Sequence, residues 1–418
     1  MLCYIVLAAG QSKRFRSRAP KILFQIHGKS LLDYVLESIP ANKKDIFIVS
    51  NIPYKDYVCI PQAEPLGTGH AVQEALKHIP STYTDCIILC GDVPLITKET
   101  LRNLSQSTFD LTLIGFRIDD LTKSYGRIIG NGEKIVEYKE ASEEVKNNPH
   151  AYSGTMKVRR HILDATLPLL RAHPEFYVTE IVEKTNAQRG VIFKTEEEFT
   201  GVNTKADLAY VERALQKKWI HQLMEEGVVF YNPDTSSVYH DTKIEQDVII
   251  HPHVHIGKNV VIEEGVVIYP FTCLEDCYIK KGARVGPFAH IRGYVVLENN
   301  AIVGNFVEVK KSKIGAESKV KHLSYIGDAV LGENVNVGAG VITCNYDGVK
   351  KHQTTIEDYV FVGSNTALIA PLTIHDHAYI GAGSVITDDV ESYDLVFTRA
   401  EKTTKKGWTK KRVQRQLL

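Results

Sequence analysis

The sequence predicts three successive regions: an α/β domain with a mixed, mainly parallel sheet, a helical connector, and a coil of short parallel strands. Three observations predict them. Strand and helix patterns alternate over the first half of the chain, one helical pattern follows, and an aliphatic residue then returns at every sixth position. The 418 residues are too many for one compact domain, which agrees with this division.

The N-terminal half alternates strands and helices from its first residues. We expect a helix over 31–39, in which Ser30 and Asp33 are placed to form a capping box. Such alternation indicates a mainly parallel sheet covered by helices, with ligands bound beyond the carboxyl ends of the strands. The predicted strands span 3–8, 46–50, 58–61 and 86–90, and the other predicted helices span 69–79 and 98–104.

The six-residue period of the C-terminal part fits neither an isolated helix nor an alternating strand. It fits a coil in which three short flat edges make one triangular turn and the inward aliphatic side chains stack in columns. We expect the glycines that follow many of these aliphatics, such as Gly257 and Gly304, to relieve sharp corners. A chance spacing in a Val/Ile-rich β domain is the alternative, which the number of matches disfavours. The runs are Ile244, Ile250, Ile256, Ile262, Ile268, Leu274; Ile279, Val285, Ile291, Leu297, Val303, Val309; Ile314, Val320, Ile326; Leu331, Val337; and Ile356, Val362, Leu368, Ile374, Ile380, Ile386.

The composition excludes several classes of protein. Fifty basic residues balance fifty acidic residues, which argues against nonspecific binding to nucleic acid or anionic membranes. No run of ~18 apolar residues predicts a membrane span, and the apolar start lacks the basic residues of a signal peptide. Seven scattered cysteines suggest reduced thiols in a cytoplasmic protein. Cys273 and Cys277 lie four residues apart without a second pair, so they give little support to a zinc site.

The segment 9–21, which follows the first predicted strand, has residues suited to phosphate binding. Small residues let backbone N–H groups approach a phosphate, and Arg14 and Lys21 follow closely as cations. A small-residue turn after a first strand is also common without any function, so this segment alone leaves both interpretations open.

Two later strand ends add to this pattern. The loop 62–71 contains Gly67 and Gly69, which would let a base or ribose pack closely. Asp92 directly follows a buried strand, where a carboxylate could hold a hard cation against phosphates, and Asn203 could supply a second oxygen. Taken alone, Asp92 fits a helix N-cap or a turn residue better than a metal ligand.

Residues 205–226 predict one helix, which Gly227 ends. Because it separates two dissimilar patterns, we place the domain boundary there. A coiled-coil dimer helix is the alternative, although the stretch is too short for three or four heptads.

Polar residues that interrupt the coil pattern are the candidates for catalysis. His322 and Tyr325 are three apart, which we expect to place an imidazole and a phenol on one edge, and a histidine can accept a proton near neutral pH. The alternative is a surface histidine. The repeat also breaks at 344–355, and an insertion projecting from a rigid coil is where a site can be built. No role is evident for the cluster of His251, His253 and His255.

Taken together, these segments resemble the sugar-1-phosphate nucleotidyltransferases. When the C-terminal coil is included, nearly the whole chain resembles the bacterial bifunctional N-acetylglucosamine-1-phosphate uridyltransferase and glucosamine-1-phosphate acetyltransferase family. The most specific segments are 62–71, 91–95, 305–310, 322–328, 334–348 and 360–364. The resemblance implies a Rossmann-like nucleotidyltransferase domain at 1–204, a linker helix at 205–227, a left-handed parallel β-helix of hexapeptide repeats at 228–391 and a basic tail at 392–418.

For the first domain the resemblance implies uridylyl transfer from UTP to N-acetylglucosamine-1-phosphate. Arg14 and Lys21 would hold the triphosphate and the developing charge, and Asp92 and Asn203 would bind Mg²⁺. The residues implied in binding UTP and the UDP-sugar are Leu7, Ala8, Ala9, Gly10, Lys21, Gln62, Gly67, Thr68, Gly126, Glu137, Tyr152 and Asn203.

For the coil the resemblance implies acetyl transfer from acetyl-CoA to glucosamine-1-phosphate, with His322 as the general base. The family forms homotrimers in which neighbouring coils share each acetyl-transfer site. The implied sugar-phosphate residues are Arg292, Lys310, Tyr325, Asn336 and Lys351, and the implied acetyl-CoA residues are Ala339, Asn345, Tyr346, Ser364, Ala382 and Arg399.

Four positions depart from the family pattern. The loop that usually reads Gly-x-Gly-Thr-Arg has Ser12 and Lys13 here, and Tyr152 stands where the family has an Asn in the sugar pocket. Gly293 follows Arg292 in place of proline. Tyr152 therefore puts the choice of sugar in question.

Two other functions fit parts of the sequence. One is a pyrophosphorylase for another sugar or base whose coil serves only in oligomerisation or regulation; His322, Tyr325 and the 344–355 insertion speak against it. The other is an inactive scaffold that keeps the coil and binds nucleotides. Ser12 and Tyr152 favour it weakly, and the retained residues oppose it: Arg14, Lys21, Asp92 and His322.

Overall fold

The computed structural model describes residues 1–10, 12–170 and 175–416. The chain forms two compact units, Met1–Leu215 and Gln216–Leu418, and the boundary between them falls inside one long helix. Within the described residues, every helix is too short or too polar to cross a membrane.

The first unit is built on one mixed sheet. Its main strand order is β11-β7-β10-β6-β1-β4-β5, and only β10 runs antiparallel to its neighbours β6 and β7 along this path. This arrangement confirms the predicted mixed, mainly parallel sheet. The strands of the unit are β1 (Leu2–Leu7), β2 (Gln25–Ile26), β3 (Lys29–Ser30), β4 (Ile46–Val49), β5 (Val58–Ile60), β6 (Asp85–Cys90), β7 (Leu111–Arg117), β8 (Arg127–Ile129), β9 (Lys134–Val136), β10 (His150–Arg159) and β11 (Arg189–Lys194).

Helices pack on both faces of this sheet. Successive residues of β1 alternate between two cores, so Ile5 contributes to one and Val6 to the other, and both are fully buried. Ser30 and Asp33 form the predicted capping box of the first helix. The α-helices are α1 (Leu31–Ser38), α2 (Thr68–His78), α3 (Lys98–Ser105), α4 (Glu143–Lys146), α5 (Arg160–Thr166), α6 (Ile181–Lys184) and α7 (Lys205–Glu225). The 3₁₀ turns are Lys13–Phe15, Lys21–Leu23, Lys43–Asp45, Leu167–Leu169, Val178–Glu180, Glu197–Phe199 and, in the second unit, Pro233–Thr235.

Helix α7 matches the predicted connector to within one residue. At its start, the Lys205 ammonium lies 3.6 Å from the centre of the Phe15 ring and 3.9 Å from that of Phe24. In the second unit, the buried Gln216 donates to Val238 O at 2.7 Å and accepts from Val238 N at 2.8 Å. Gln216 therefore satisfies backbone groups at the start of the coil that no earlier turn can reach.

The second unit is a coil of parallel strands with three faces. The first face consists of Val229–Phe230, Ile249–Ile250, Val267–Ile268, Arg284–Val285, Ile302–Asn305, Lys319–His322, Asn336–Val337, Phe361–Val362, Tyr379–Ile380 and Leu395–Val396. The second consists of Ser237–Val238, His255–Ile256, Cys273–Leu274, His290–Arg292, Glu308–Lys310, Tyr325–Gly327, Ile342–Cys344, Ala367–Ile369 and Val385–Ile386. The third consists of Lys243–Ile244, Val260–Ile262, Cys277–Ile279, Val295–Leu297, Lys313–Ile314, Ala329–Leu331, Thr354–Ile356 and Leu372–Ile374.

The six-residue period produces this coil because each period places one aliphatic side chain inside. Every strand pairs in register with a strand of the next turn, so equivalent aliphatics stack directly on one another. One such column lies under the first face, and its members are at most 3 % exposed: Ile250, Ile268, Val285, Val303, Val320, Val337, Val362 and Ile380.

The expected role of the glycines is largely wrong. Most corners with positive φ carry other residues, for example Phe288 and Asn334, and Gly304 has no such φ. A Cβ on Gly304 would instead lie 1.9 Å from Lys321 O. The glycine is therefore needed because the backbone of the next turn passes too close for any side chain.

The coil continues beyond the predicted limit at residue 391. The strand Leu395–Val396 pairs with Tyr379–Ile380, and a helix, α8 (Trp408–Gln416), follows. Fewer residues separate the paired positions Tyr379 and Leu395 than separate Phe361 and Tyr379. This last strand therefore falls outside the six-residue period. The segment therefore contains regular structure where the sequence indicated only a basic tail.

Candidate active sites

The first candidate site lies at the carboxyl ends of β1 and β6. Ala8 N donates to Val49 O and Gly91 N donates to Leu7 O, both at 2.9 Å, which fixes the loops that leave the two strands. Ser12 adopts a left-handed conformation, with φ 52°, that glycine reaches at lower cost. Ser12 thus keeps the left-handed backbone conformation even though it replaces the glycine of the family pattern. Gln11 and the side chain of Lys13 lie outside the described residues.

Four predicted polar residues converge in this site. Lys21 Nζ donates to Asp92 Oδ2 at 2.5 Å and to Asn203 Oδ1 at 3.4 Å, while Arg14 Nη2 donates to the same Asn203 oxygen at 3.2 Å. The Asp207 carboxylate accepts a hydrogen bond from Asn203 N at 2.9 Å, which fixes the backbone at Asn203. Two cations and two oxygen ligands from distant parts of the chain therefore share one small volume.

The loop before α2 forms another wall. Gln62 N donates to Asn51 Oδ1 at 2.8 Å, and Gln62 Nε2 donates to Gly67 O at 3.0 Å. A Cβ on Gly67 would lie 2.5 Å from Phe176 O, and Gly69 N donates to that oxygen at 2.6 Å. The glycines that the sequence associated with a base or ribose are thus required first by the close approach of Phe176.

Most of the predicted nucleotide residues line one cleft of about 700 Å³. The predicted residues in its wall are Leu7, Ala8, Ala9, Gly10, Arg14, Lys21, Gln62, Gly67, Thr68, Asp92 and Asn203. Ser12, Ile22, Pro65, Ala71, Cys90 and Glu175 complete it. Such a cleft is large enough for a nucleotide.

The three predicted residues outside this wall form a group next to Cys90. Tyr152 N donates to Gly126 O at 2.8 Å, and a Cβ on Gly126 would lie 3.6 Å from Glu137 Oε2. Burial raises the pKa of the Cys90 thiol to about 12 and also raises the pKa of Glu137, which accepts from Thr179 Oγ1 at 2.8 Å. These three residues therefore lie close to one another beside a residue of the cleft wall.

The second candidate site begins at a corner that follows the first face of the coil. Successive turns are joined there: Gly340 N donates to His322 O, Asn365 N donates to Ala339 O, and Gly383 N donates to Ser364 O. Arg399 Nε donates to Ala382 O at 3.2 Å. We call this stack the His322 corner; its residues are His322, Ala339, Ser364, Ala382 and Arg399.

His322 is exposed at this corner and its ring is held from one side. Its Nδ1 lies 2.8 Å from Asn305 Oδ1, which belongs to the preceding turn. With the amide oxygen as acceptor, Nδ1 carries the proton and Nε2 is left as a base. The expectation that His322 and Tyr325 share one edge is wrong: His322 ends a strand of the first face and Tyr325 begins a strand of the second, because a corner separates them.

A basic cluster lies on the second face. Glu308 Oε1 accepts from Arg292 Nε at 2.8 Å, and Arg292 pairs in register with Lys310. The neighbouring Lys351 ammonium and Arg292 lower the pKa of Lys310. We call Arg292, Lys310 and Lys351 the second-face cluster. Such a concentration of positive charge is suited to a phosphate group.

The 344–355 insertion is a small hairpin that contributes Lys351 to this cluster. Tyr346 and Lys351 form its antiparallel bridge. Asp347 accepts from the backbone N–H groups of Val349 and Lys350 and contacts His352, interactions that hold the pKa of its carboxyl well below the usual range. Tyr346 is 59 % exposed, so the hairpin presents its ring to solvent.

Asn345 connects the hairpin to the second face. Its Nδ2 donates to Asp328 Oδ2 at 2.5 Å and to Tyr325 Oη at 3.4 Å. Lys351 Nζ lies 3.9 Å from the same Asp328 oxygen. The Asp328 carboxylate therefore holds Asn345 and Lys351 together, and Asn345 in turn contacts Tyr325.

Asn336 does not join this group within one chain. It lies on the first face, in register with Lys319 and Phe361, whereas Arg292, Lys310 and Tyr325 belong to strands of the second face. One copy of the coil therefore separates residues that the resemblance assigns to a single sugar-phosphate site.

Known proteins are similar to this chain over nearly its whole length. The bifunctional protein GlmU of Agrobacterium fabrum is 40 % identical over 427 residues, covering 96 % of this chain and 94 % of that protein. The bifunctional protein GlmU of Thermodesulfovibrio yellowstonii is 38 % identical, covering 98 % and 99 %, and that of Thermotoga petrophila is 37 % identical, covering 98 % of each. The chain belongs to the GlmU family.

Domain profiles agree with the two parts of this GlmU-family chain. The MobA-like NTP transferase domain matches residues 4–111, the bacterial transferase hexapeptide matches 241–275, and the GMPPB C-terminal domain matches 273–371. These matches confirm the predicted nucleotidyltransferase domain and left-handed β-helix of hexapeptide repeats. A solved structure of Francisella novicida UDP-N-acetylglucosamine acyltransferase, at 23 % identity, covers 40 % of this chain and 66 % of that one with a TM-score of 0.37, and it adds nothing to the assignment.

Asn305, Cys90 and Glu175 lie in or beside these candidate sites but were not predicted from the sequence. Asn305 stands one coil turn before His322, a spacing that would have revealed it. Cys90 is the last residue of β6, the strand that Asp92 follows by two residues. Glu175 carries no local signal, because it reaches the cleft from a segment far along the chain.

Proposed function

We propose that this GlmU-family chain makes UDP-N-acetylglucosamine in two reactions at two sites. The β-helix transfers the acetyl group of acetyl-CoA to glucosamine-1-phosphate, and the N-terminal cleft then transfers uridylyl from UTP to the product, releasing pyrophosphate. The relatives cover nearly the whole chain and are covered almost entirely by it, which supports both activities. The observation that carries the proposal is the convergence of Arg14, Lys21, Asp92 and Asn203 in one cleft.

In the first reaction both reactants are anions, so the cleft must supply position and positive charge. Lys21 and Arg14 lie where they would neutralise the triphosphate and the charge that develops during in-line attack on the α-phosphate. The segment Leu7–Gly10 lines the cleft, and its small residues would let the backbone approach the nucleotide. Gln62, Gly67 and Thr68 would face the uracil. Gly126, Glu137 and Tyr152 would enclose the sugar.

The oxygens of Asp92 and Asn203 fit a Mg²⁺ ion. Both contact the Lys21 ammonium, so they already converge on one cation, and carboxylate and amide oxygens are the ligands that Mg²⁺ prefers. When bound, the ion supplies charge neutralisation at the phosphates. Asp92 would then exchange its contact with Lys21 for the ion, and the freed ammonium would turn to the substrate.

In the second reaction the amine of glucosamine-1-phosphate attacks the thioester of acetyl-CoA, and His322 accepts a proton from that amine. Asn305 fixes the ring so that the imidazole presents one nitrogen to the substrate. The second-face cluster would hold the sugar phosphate with Tyr325. The residues Ala339, Ser364, Ala382 and Arg399 of the His322 corner, together with Asn345 and Tyr346, would hold acetyl-CoA.

A homotrimer completes the acetyl-transfer site. Asn336 lies on a different face of the coil from the second-face cluster, so one chain leaves the sugar-phosphate site incomplete. In a cyclic trimer, the first face of one coil can approach the second face of its neighbour and supply Asn336 from the neighbouring copy.

Separate half-reaction assays of two variants test the proposal. His322→Ala is expected to lower acetyl transfer by about 10²–10⁴-fold, the usual loss on removing a general base, with uridylyl transfer unchanged. Asp92→Asn is expected to show the reverse pattern in pyrophosphate release from UTP and N-acetylglucosamine-1-phosphate. His253→Asn, at an exposed corner position with positive φ, is the matched control. Loss of both reactions in one folded variant would contradict the assignment of two sites.

A further inference from the structure

Three ligand-type side chains meet on the second face of the coil, outside the residues assigned to either reaction. His255 and Cys273 stand in register on successive turns, and Glu275 follows Cys273 by two residues on the same side of the strand. One ligand atom from each of His255, Cys273 and Glu275 lies within 4.8 Å of the other two. All three residues are half-buried within one chain, so an ion held there would lose part of its hydration shell.

We propose that His255, Cys273 and Glu275 form a zinc site. Imidazole, thiolate and carboxylate are the ligands zinc takes in proteins, and a thiolate disfavours Mg²⁺ or Ca²⁺. Tetrahedral coordination at ordinary Zn–S and Zn–N distances separates ligand atoms by about 3.5 Å, so side-chain shifts of about 1 Å close the site. The fourth position is open to water.

The neighbouring groups support this assignment. Ser237 Oγ lies 2.6 Å from His255 Nδ1 and fixes the orientation of the ring, as partners of metal-bound histidines do. A bound zinc ion would offset the repulsion that a thiolate at Cys273 would otherwise meet from the Glu275 carboxylate. Cys277 takes no part, because it is buried inside the coil under the third face.

The site joins two turns of the coil that are otherwise held by backbone hydrogen bonds and core packing. His255 belongs to one turn, and Cys273 and Glu275 belong to the next. The metal therefore acts as a clamp near the start of the β-helix, several turns before His322, and its loss is expected to lower the stability of the coil without removing a catalytic group.

Metal content of the full-length protein tests the inference. Protein dialysed against equimolar ZnCl₂ and then desalted is expected to retain one zinc per chain, and Cys273→Ser is expected to retain less than about a tenth of that. Cys59→Ser, a half-exposed cysteine of the first unit, is the matched control and should bind zinc like the wild type. Substoichiometric zinc in the wild type, or full zinc in Cys273→Ser, would overturn the proposal.

Cobalt substitution provides a readout that a structural defect alone would not give. Co²⁺ bound to the wild-type chain is expected to show a thiolate-to-metal charge-transfer band, which Cys273→Ser abolishes and Cys59→Ser retains. Glu275→Gln keeps the thiol and the fold, and it is expected to keep the band but weaken metal binding at least tenfold. A band that survives in Cys273→Ser, or Glu275→Gln binding as tightly as the wild type, would show that the ion binds elsewhere.

Discussion

Tyr152 and Glu137 are the residues at which the N-terminal site is most unusual. The Tyr152 hydroxyl is buried and has no hydrogen-bond partner among the described residues, an arrangement that costs about 1–3 kcal/mol. Glu137 keeps one bond, from Thr179 Oγ1, but burial raises its pKa. Both groups would be satisfied by the hydroxyl and amide groups of a bound sugar.

The raised pKa of Glu137 leads to a pH-dependent stability prediction. Because the folded state resists ionisation of this carboxyl, the first unit should lose stability as pH rises from the usual Glu value of about 4.3 through the raised value. Glu137→Gln removes that loss. Its thermal unfolding midpoint should therefore match the wild type near pH 4 and exceed it at pH 7.

Glu144→Gln is the control for this experiment, since it removes an exposed carboxylate of α4. It should leave the pH profile of unfolding unchanged. An unfolding midpoint of Glu137→Gln that stays below that of the wild type at pH 7 would show that the ionised carboxylate stabilises the fold.

The sequence could identify candidate residues but not their proximity. Arg14 and Asn203 are 189 positions apart, and only the order of strands in the sheet brings them into contact. Similarly, His322 could be chosen from 16 histidines by resemblance, whereas its orientation by Asn305 depends on the register of the coil. Tyr152 departs from the family pattern, and that its hydroxyl is unpaired follows only from three-dimensional packing.

The coil turn is the element that the sequence predicted best. Its six-residue period fixes which side chain points inward, and the buried columns confirm this. The reason for the glycines could not be predicted, because the distance between backbone atoms of successive turns is not encoded in a local pattern. Corners with positive φ at residues such as Phe288 likewise arise from the closure of the coil rather than from residue preference.

The close approach at Gly304 makes a stability prediction for this element. A Cβ at 1.9 Å from Lys321 O cannot be accommodated by side-chain rotation, so Gly304→Ala must separate two turns of the coil. We expect a loss of about 3 kcal/mol or more in the free energy of unfolding of the second unit, the upper part of the range for overpacking. Denaturant unfolding of the full-length protein measures it.

Gly257→Ala is the paired comparison in the same kind of position. Its Cβ would meet Glu275 Cγ at 2.8 Å, a side chain that can move away, although Leu274 O lies at 3.1 Å. A smaller loss, of about 1 kcal/mol, is expected in zinc-free buffer. Equal effects of the two substitutions would mean that close backbone approach does not explain Gly304.

At the scale of the whole molecule, the proposed trimer leads to a prediction about mixed assemblies. Lys310→Ala and Asn336→Ala should each abolish most acetyl transfer as a pure trimer. Trimers formed by co-expressing the two variants should regain about one quarter of the wild-type rate, because random mixing leaves about one site in four with both residues intact.

The uridylyl transfer rate of the same preparations serves as the internal reference for protein concentration and folding. Neither substitution lies in the N-terminal unit, so this rate should equal that of the wild type. If the mixed trimers gain no acetyl transfer over the pure variants, each site is completed within one chain and Asn336 has another role.

One polypeptide carries both proposed reactions in sequence. This is tested most simply by the conversion of glucosamine-1-phosphate, acetyl-CoA and UTP into UDP-N-acetylglucosamine by the purified protein with Mg²⁺ in a single vessel. We expect UDP-N-acetylglucosamine together with equal amounts of free CoA thiol and pyrophosphate. Formation of the UDP-sugar only when N-acetylglucosamine-1-phosphate is supplied, with no release of CoA thiol, would contradict it and would reduce the β-helix to a scaffold.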